Sequence, residues 1–186
     1  MANRVRILGF AGSLRKGSYN KSLLRAAAEL SPGDATVETF DIEGIPAFNQ
    51  DLETSPPDKV AEFKAKIRAA DAILMVTPEN NYSVPGVLKN AIDWASRPYG
   101  DNAFDGKPAA IMSASIGSLG GARAQYHLRQ VFIFLNMYPI NGPEIMVSNA
   151  AQKFDANGRL TDDKVKELIK VQLRMLVDWT NRIGKK

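Results

Sequence analysis

The feature that most constrains this chain is an alternation between two hydrophobic periods. Five short apolar runs of strand length lie at 5–10 (VRILGF), 36–40 (TVETF), 72–76 (AILMV), 109–112 and 145–147. Between them the apolar residues recur at helical spacing. Leu23, Leu24, Ala27, Ala28 and Leu30 form one such face, stopped by Pro32-Gly33. Val60, Phe63, Ile67 and Ala70 form the next. Val87, Leu88, Ala91, Ile92, Trp94 and Ala95 follow, with Ser83 as expected N-cap and Pro85 in the first turn. Leu128, Val131, Phe132 and Leu135 make a fourth helix. Val165, Leu168, Ile169, Leu173, Leu176 and Val177 make the last, expected to be capped by Thr161 with Asp162 and Asp163 at its positive end. Parallel neighbours need crossovers, so this pattern predicts an α/β chain: a parallel sheet with helices on both faces. No internal repeat or domain boundary interrupts it, and residues 1–186 read as one domain.

Composition then removes whole classes of chemistry. The 186 residues include no cysteine, which excludes disulfides, thiolate nucleophiles and cysteine-ligated metals. His127 is the one histidine, too little for a multi-histidine metal site, and it reads as packing, capping or interface. The Asp155-Ala156-Asn157-Gly158 run lacks the later acidic ligands of a calcium loop and reads as a turn. No metal site is expected, so redox chemistry here requires a bound organic cofactor. The net charge of +4 is spread along the chain without aromatic interleaving, which argues against nucleic acid. No apolar run approaches the roughly 20 residues of a membrane span. Residues 1–13 lack a leader-like apolar stretch and cleavage site, so a cytoplasmic, membrane-free protein is expected.

In doubly wound sheets, ligands sit beyond the carboxyl ends of the strands, near the switch in strand order. Three loops there carry unusual chemistry: 11–20, 77–83 and 113–121. The first, GSLRKGSYN, offers Ser13, Arg15, Ser18, Tyr19 and Asn20 just ahead of a helix. Glycines at 12 and 17 let backbone approach an anion. The loop has the glycine spacing of a P-loop, but Ser18 stands where the lysine belongs. The dinucleotide fingerprint is absent as well. Both near-misses point to a terminal monophosphate. Pro78, Glu79, Asn80, Asn81 and Tyr82 of the second loop match the polar edge and flat face of a heterocycle, and Glu79 is open to acid–base, capping or ion-pair roles. Ser113, Ser115, Gly117, Gly120 and Gly121 of the third leave room for a planar ring.

Taken together, GSLRKGSYNKSL (12–23), VTPENNYSVPGVLKNAIDW (76–94) and GGARAQYHLRQ (120–130) resemble the NADPH-dependent FMN reductase family, the last run its quinone and chromate reductase branch. The resemblance spans essentially the whole chain. It implies a flavodoxin-like three-layer sandwich with five parallel strands in the order 2-1-3-4-5, and non-covalently bound FMN. Hydride would come from NADPH or NADH and pass by way of the flavin to a small-molecule acceptor: a quinone, a flavin, or an oxyanion such as chromate. By family pattern Ser13, Arg15, Ser18, Tyr19 and Asn20 would hold the phosphate and ribityl end. Pro78, Glu79, Asn80, Asn81 and Tyr82 would line the ring, with Ser115 and Gly117 adding contacts, and no side chain need act as acid, base or nucleophile. The family pattern reads P-E-Y-N-Y, and Asn80 here replaces its first tyrosine, which bears on how acceptors stack. Homodimers or homotetramers are implied, and the mixed segment 122–138 suits an interface. The alternative from another class is a non-enzymatic flavodoxin-type electron carrier, against which the basic charge argues.

Overall fold

The structure, a computed structural model, describes residues 4–184; the first three residues of the 1–13 leader expectation lie outside it. The elements run β1 (Val5–Ala11), α1 (Tyr19–Glu29), β2 (Ala35–Phe40), α2 (Asp58–Ala69), β3 (Ala72–Val76), α3 (Gly86–Ala95), β4 (Pro108–Ala114), α4 (Ala122–Phe134), β5 (Tyr138–Pro139), β6 (Ile145–Val147) and α5 (Asp163–Gly184). The strand order is β2-β1-β3-β4-β5, with every pairing parallel. That is the expected order.

Two cores flank the sheet. Leu23, Leu24 and Ala27 of α1 and Ile169, Leu173 and Val177 of α5 cover one face; Phe63 of α2, Leu88 of α3 and Phe132 of α4 cover the other. β3 is buried along its whole length and divides its residues by the strand period. Leu74 and Val76 point into the first core, Ile73 and Met75 into the second. An unbroken apolar run is what a strand covered on both sides requires.

Three local expectations change. The fifth strand position is shared by two short strands, not occupied by 145–147 alone. Pro108 faces Tyr138, yet Met112 faces Ile145, so four steps along β4 correspond to seven along its neighbour. Pro139 and Pro143 have no N–H to give β4. The extruded carbonyls are taken up by helices: Arg129 donates to Ile140 O at 3.1 Å and Gln172 to Pro143 O at 2.7 Å. Asp162, not Thr161, caps α5, accepting the Val165 N–H at 3.0 Å; that hydrogen bond holds its carboxyl below the ordinary range. Ser83 caps nothing. It closes a turn before Pro85, and α3 begins without a side-chain cap. The 155–158 run is a turn in which Asp155 accepts the N–H groups of Asn157 and Arg159.

Candidate functional site

The carboxyl ends of β1, β3 and β4 open into one cleft of about 600 Å³, within the size range of cofactor sites. Nine of the residues expected from the sequence line it: Ser13, Arg15, Ser18, Tyr19, Asn20, Pro78, Glu79, Asn80 and Ser115. Asn81, Tyr82 and Gly117 do not. The Gly117 N–H donates to Ser115 Oγ at 3.1 Å.

The first loop leaves β1 pressed against α3. A Cβ on Gly12 would come within 2.9 Å of Leu88 side-chain atoms, so glycine is needed there for close approach. Ser18 then caps α1, its Oγ accepting the Lys21 N–H at 3.4 Å. Among the described residues the N–H groups of Tyr19 and Asn20 have no acceptor, as the first turn of any helix dictates. With the hydroxyls of Ser13 and Ser18 they make a donor cluster at the positive end of a helix dipole, a fit for a phosphate dianion. Arg15 adds charge; its guanidinium donates to Gly17 O and lies 5.7 Å from the Tyr19 ring. Asn20 behaves differently from its neighbours. It is 3% exposed, and its amide donates to Ala114 O and accepts Ala114 N–H, both at 2.9 Å. The side chain therefore ties α1 to the end of β4, leaving its backbone N–H for a ligand.

The second loop is a wall held from behind. Asn80 and Ser83 exchange backbone hydrogen bonds at 3.1 and 2.9 Å around Asn81 and Tyr82, whose φ angles of 49° and 68° are left-handed. Glu79 is nearly buried and accepts the N–H groups of Arg123 at 3.0 Å and Ala124 at 3.4 Å. It also pairs with the Arg123 guanidinium. This carboxylate is thus a helix cap and an ion pair, committed in a way that a mobile acid or base is not.

The third loop folds back beneath the sheet's end. Gly120 and Gly121 have φ of 60° and 92°, and a Cβ on Gly120 would meet the Met146 backbone at 2.6 Å. Ser113 Oγ donates to Gly120 O at 2.6 Å and accepts from Gln125 at 2.7 Å, so this stretch is locked down. From this loop Ala114, Ser115 and Ile116 line the cleft. Leu14, Val87 and Ile116 also line it and stay exposed, giving apolar surface for a flat ring. Reasoning from polar donors missed these three. For two of them the signal was an aliphatic residue in an otherwise small, polar loop, Leu14 in GSLRKGS and Ile116 in SASIGS; Val87 had been placed on the apolar face of its helix.

A parallel sheet in the order 2-1-3-4-5, with unpaired helix N–H groups and a ring-sized cleft at the strand ends, is the architecture of the flavodoxin-like class. Over residues 5–152 the sequence matches the family model for NADPH-dependent FMN reductase, and the chain belongs to that family. An NAD(P)H-dependent FMN reductase of Pseudomonas aeruginosa is 53% identical over 184 residues, covering 98% of this chain and 99% of the relative. A 2-hydroxy-1,4-benzoquinone reductase of a Burkholderia species is 41% identical, covering 94% and 96%. Among solved structures, the flavoenzyme NAD(P)H:(acceptor) oxidoreductase FerB of Paracoccus denitrificans superposes with a TM-score of 0.88 at 36% identity, covering 97% of this chain and 99% of that one. The protein is an oxidoreductase with FMN as cofactor and NAD(P)H as electron donor.

Replacing Asn20 with Ala leaves the buried N–H and C=O of Ala114 without partners. The variant should lose about 2–4 kcal/mol of stability in urea denaturation of the FMN-free protein. A loss below about 0.5 kcal/mol would contradict the tie between α1 and β4.

Proposed function

We propose that the chain works as one FMN-binding unit which reduces quinones with NAD(P)H, and that the cleft at the ends of β1, β3 and β4 is where the flavin sits. The carrying observation is the convergence of hydroxyls and unpaired helix N–H groups at one end of a cleft whose other end is apolar. Ser13, Arg15, Ser18 and Tyr19, with the Asn20 N–H, take the phosphate. Pro78, Glu79 and Asn80 line the ring from one side, Ser115 from the other, and Leu14, Val87 and Ile116 keep water from its face. Held there, FMN would supply the redox chemistry between nicotinamide and acceptor. The protein's share is placement and charge: it holds the phosphate, shields the ring and leaves the mouth open for donor and acceptor in turn. Glu79 is the one carboxylate lining the cleft among the described residues, and its commitment to α4 fits a site without a dedicated acid or base. Several relatives are named for quinones, an NADPH:quinone oxidoreductase of Arabidopsis thaliana at 46% identity among them, which supports that acceptor class. Chromate and free flavin are further acceptors that the same open mouth admits.

We also infer a homodimer or homotetramer built on α4, working in the cytoplasm, where reduced nicotinamides are abundant. Tyr126, Ile133 and Phe134 occupy the outer side of that helix, and the last two are 82% and 72% exposed. Aromatic and aliphatic side chains so exposed on one helix face are better explained by a second copy than by water. Among the described residues no helix is long and apolar enough to cross a membrane.

Two outcomes follow from these readings. Arg15→Ala should weaken FMN binding by about 1.5–3 kcal/mol, roughly ten- to a hundredfold in Kd by fluorescence titration; an unchanged Kd would remove the phosphate assignment. Phe134→Glu should shift the protein from an oligomeric to a monomeric mass by light scattering. A monomeric parent, or an oligomer unaffected by the substitution, would contradict the α4 interface.

A further inference from the structure

Tyr19 is the first residue of α1 and lines the donor-rich end of the cleft, and two side chains meet its ring. The Arg15 guanidinium lies 5.7 Å from the ring centre, and the Phe154 ring packs on it at 5.4 Å with the planes tilted by 39°. Phe154 is 8% exposed and stands outside the cleft, beyond residue 152, where the family match ends. It belongs to a small hairpin, residues 153–161. Phe154 and Leu160 form an antiparallel bridge; the Asp155 N–H donates to Arg159 O and the Thr161 N–H to Lys153 O, both at 2.9 Å. At the base of the hairpin the Ala150 N–H donates to Ser115 O at 3.0 Å, and the Asn149 N–H to Gly117 O at 3.3 Å. At its tip Gly158, with φ 73°, passes so close to α1 that a Cβ there would come within 2.8 Å of Ser22 Oγ. Ser22 is one turn beyond Tyr19 on the same helix. The hairpin therefore spans from the third loop to the first turns of α1 and rests on the ring that Arg15 also meets.

We propose that the 153–161 hairpin is a brace that sets the chain's preference for phosphorylated flavin. Phe154 is its positioning residue: it fixes the Tyr19 ring, and through that ring the Arg15 guanidinium, where a terminal phosphate arrives. The proposal rests on the reading of the cleft as the flavin site. Arg15 is exposed, and among the described residues its guanidinium meets the Gly17 carbonyl and the Tyr19 ring but no carboxylate. A long side chain held so lightly gives up rotamer freedom when it grips an anion, and ordering it beforehand lowers that cost. Tyr19 can order Arg15 only if its own ring is ordered, and Phe154 supplies that contact. Riboflavin, which lacks the phosphate, gains nothing from an ordered Arg15. The bonds at the base of the hairpin run between backbone groups, so a substitution at Phe154 leaves the tie to Ser115 in place.

The test is fluorescence titration of the FMN-free protein with FMN and, in parallel, with riboflavin. Phe154→Leu keeps an apolar side chain in the hairpin and removes the ring pair. It should raise the FMN Kd by about three- to tenfold, the range that loss of one aromatic pair allows, with the riboflavin Kd within about twofold of the parent's. In a Tyr19→Ala background the same substitution should add nothing, because Phe154 acts through Tyr19. Gly158→Ala should also raise the FMN Kd, by pressing the tip away from Ser22. Adding Ser22→Ala should restore most of that affinity, since it removes the Oγ that the new methyl group would meet. An equal loss for both flavins, an unmoved FMN Kd in Phe154→Leu, effects that add in the Tyr19→Ala background, or a Gly158→Ala loss that Ser22→Ala leaves in place would overturn the proposal. Failure of the cleft reading would show separately, as an FMN Kd that Arg15→Ala leaves unchanged.

Discussion

The first turn of a helix carries N–H groups that no carbonyl of that helix can reach, and in this protein those groups stand beside the carboxyl end of a buried parallel strand. Everything at the site is arranged around that unsatisfied end. Ser18 caps it, Gly12 lets the preceding loop pass close to Leu88, and the Asn20 amide pins it to the last residue of β4. The pin joins residues 94 apart in sequence and ties the donor-rich end of the cleft to the strand that leads into Ser115 and Ile116. On the reading proposed above, a phosphate dianion would satisfy what the fold leaves open, and cofactor binding would complete the hydrogen bonding of α1.

Helix α4 is the second organiser, and it works from outside the cleft. Its N-terminus receives Glu79, its first turn supplies Arg123 to Tyr82, and Gln125 reaches beneath the third loop to Ser113 and Ile145. Its outer side ends in the exposed Ile133 and Phe134. If that side meets a second copy, association and the shape of the second loop are coupled through one rigid element. The class of reaction follows from the cofactor.

Much of this was legible in the sequence, for identifiable reasons. The 72–76 run has no polar residue because β3 is covered on both faces, and that alone announces a doubly wound sheet. Ser13, Arg15 and Ser18 stand out because a strand-to-helix turn rarely needs so many donors. What stayed hidden depends on distant partners or on competition between near-equivalent groups. Thr161 and Asp162 are both good caps, and only the geometry of the last helix selects Asp162. Ser83 sits at cap distance from α3, but the turn it closes with Asn80 claims it first. The split fifth strand depends on where Arg129 and Gln172 capture carbonyls, and Glu79 finds Arg123 across 44 residues. The apolar cleft residues were overlooked because polar loops invite attention to their polar members.

The central claim is that FMN binds where α1 begins and is bounded by the loops after β1, β3 and β4. Amide hydrogen exchange of the FMN-free protein, with and without added FMN, tests it residue by residue. The account predicts slowed exchange at the Ser18, Tyr19 and Asn20 amides and at Glu79–Asn80 and Ser115–Ile116, with the groove at the amino ends of the strands, near Arg68 and Lys107, unchanged. Protection at that opposite groove, or none at the start of α1, would contradict it.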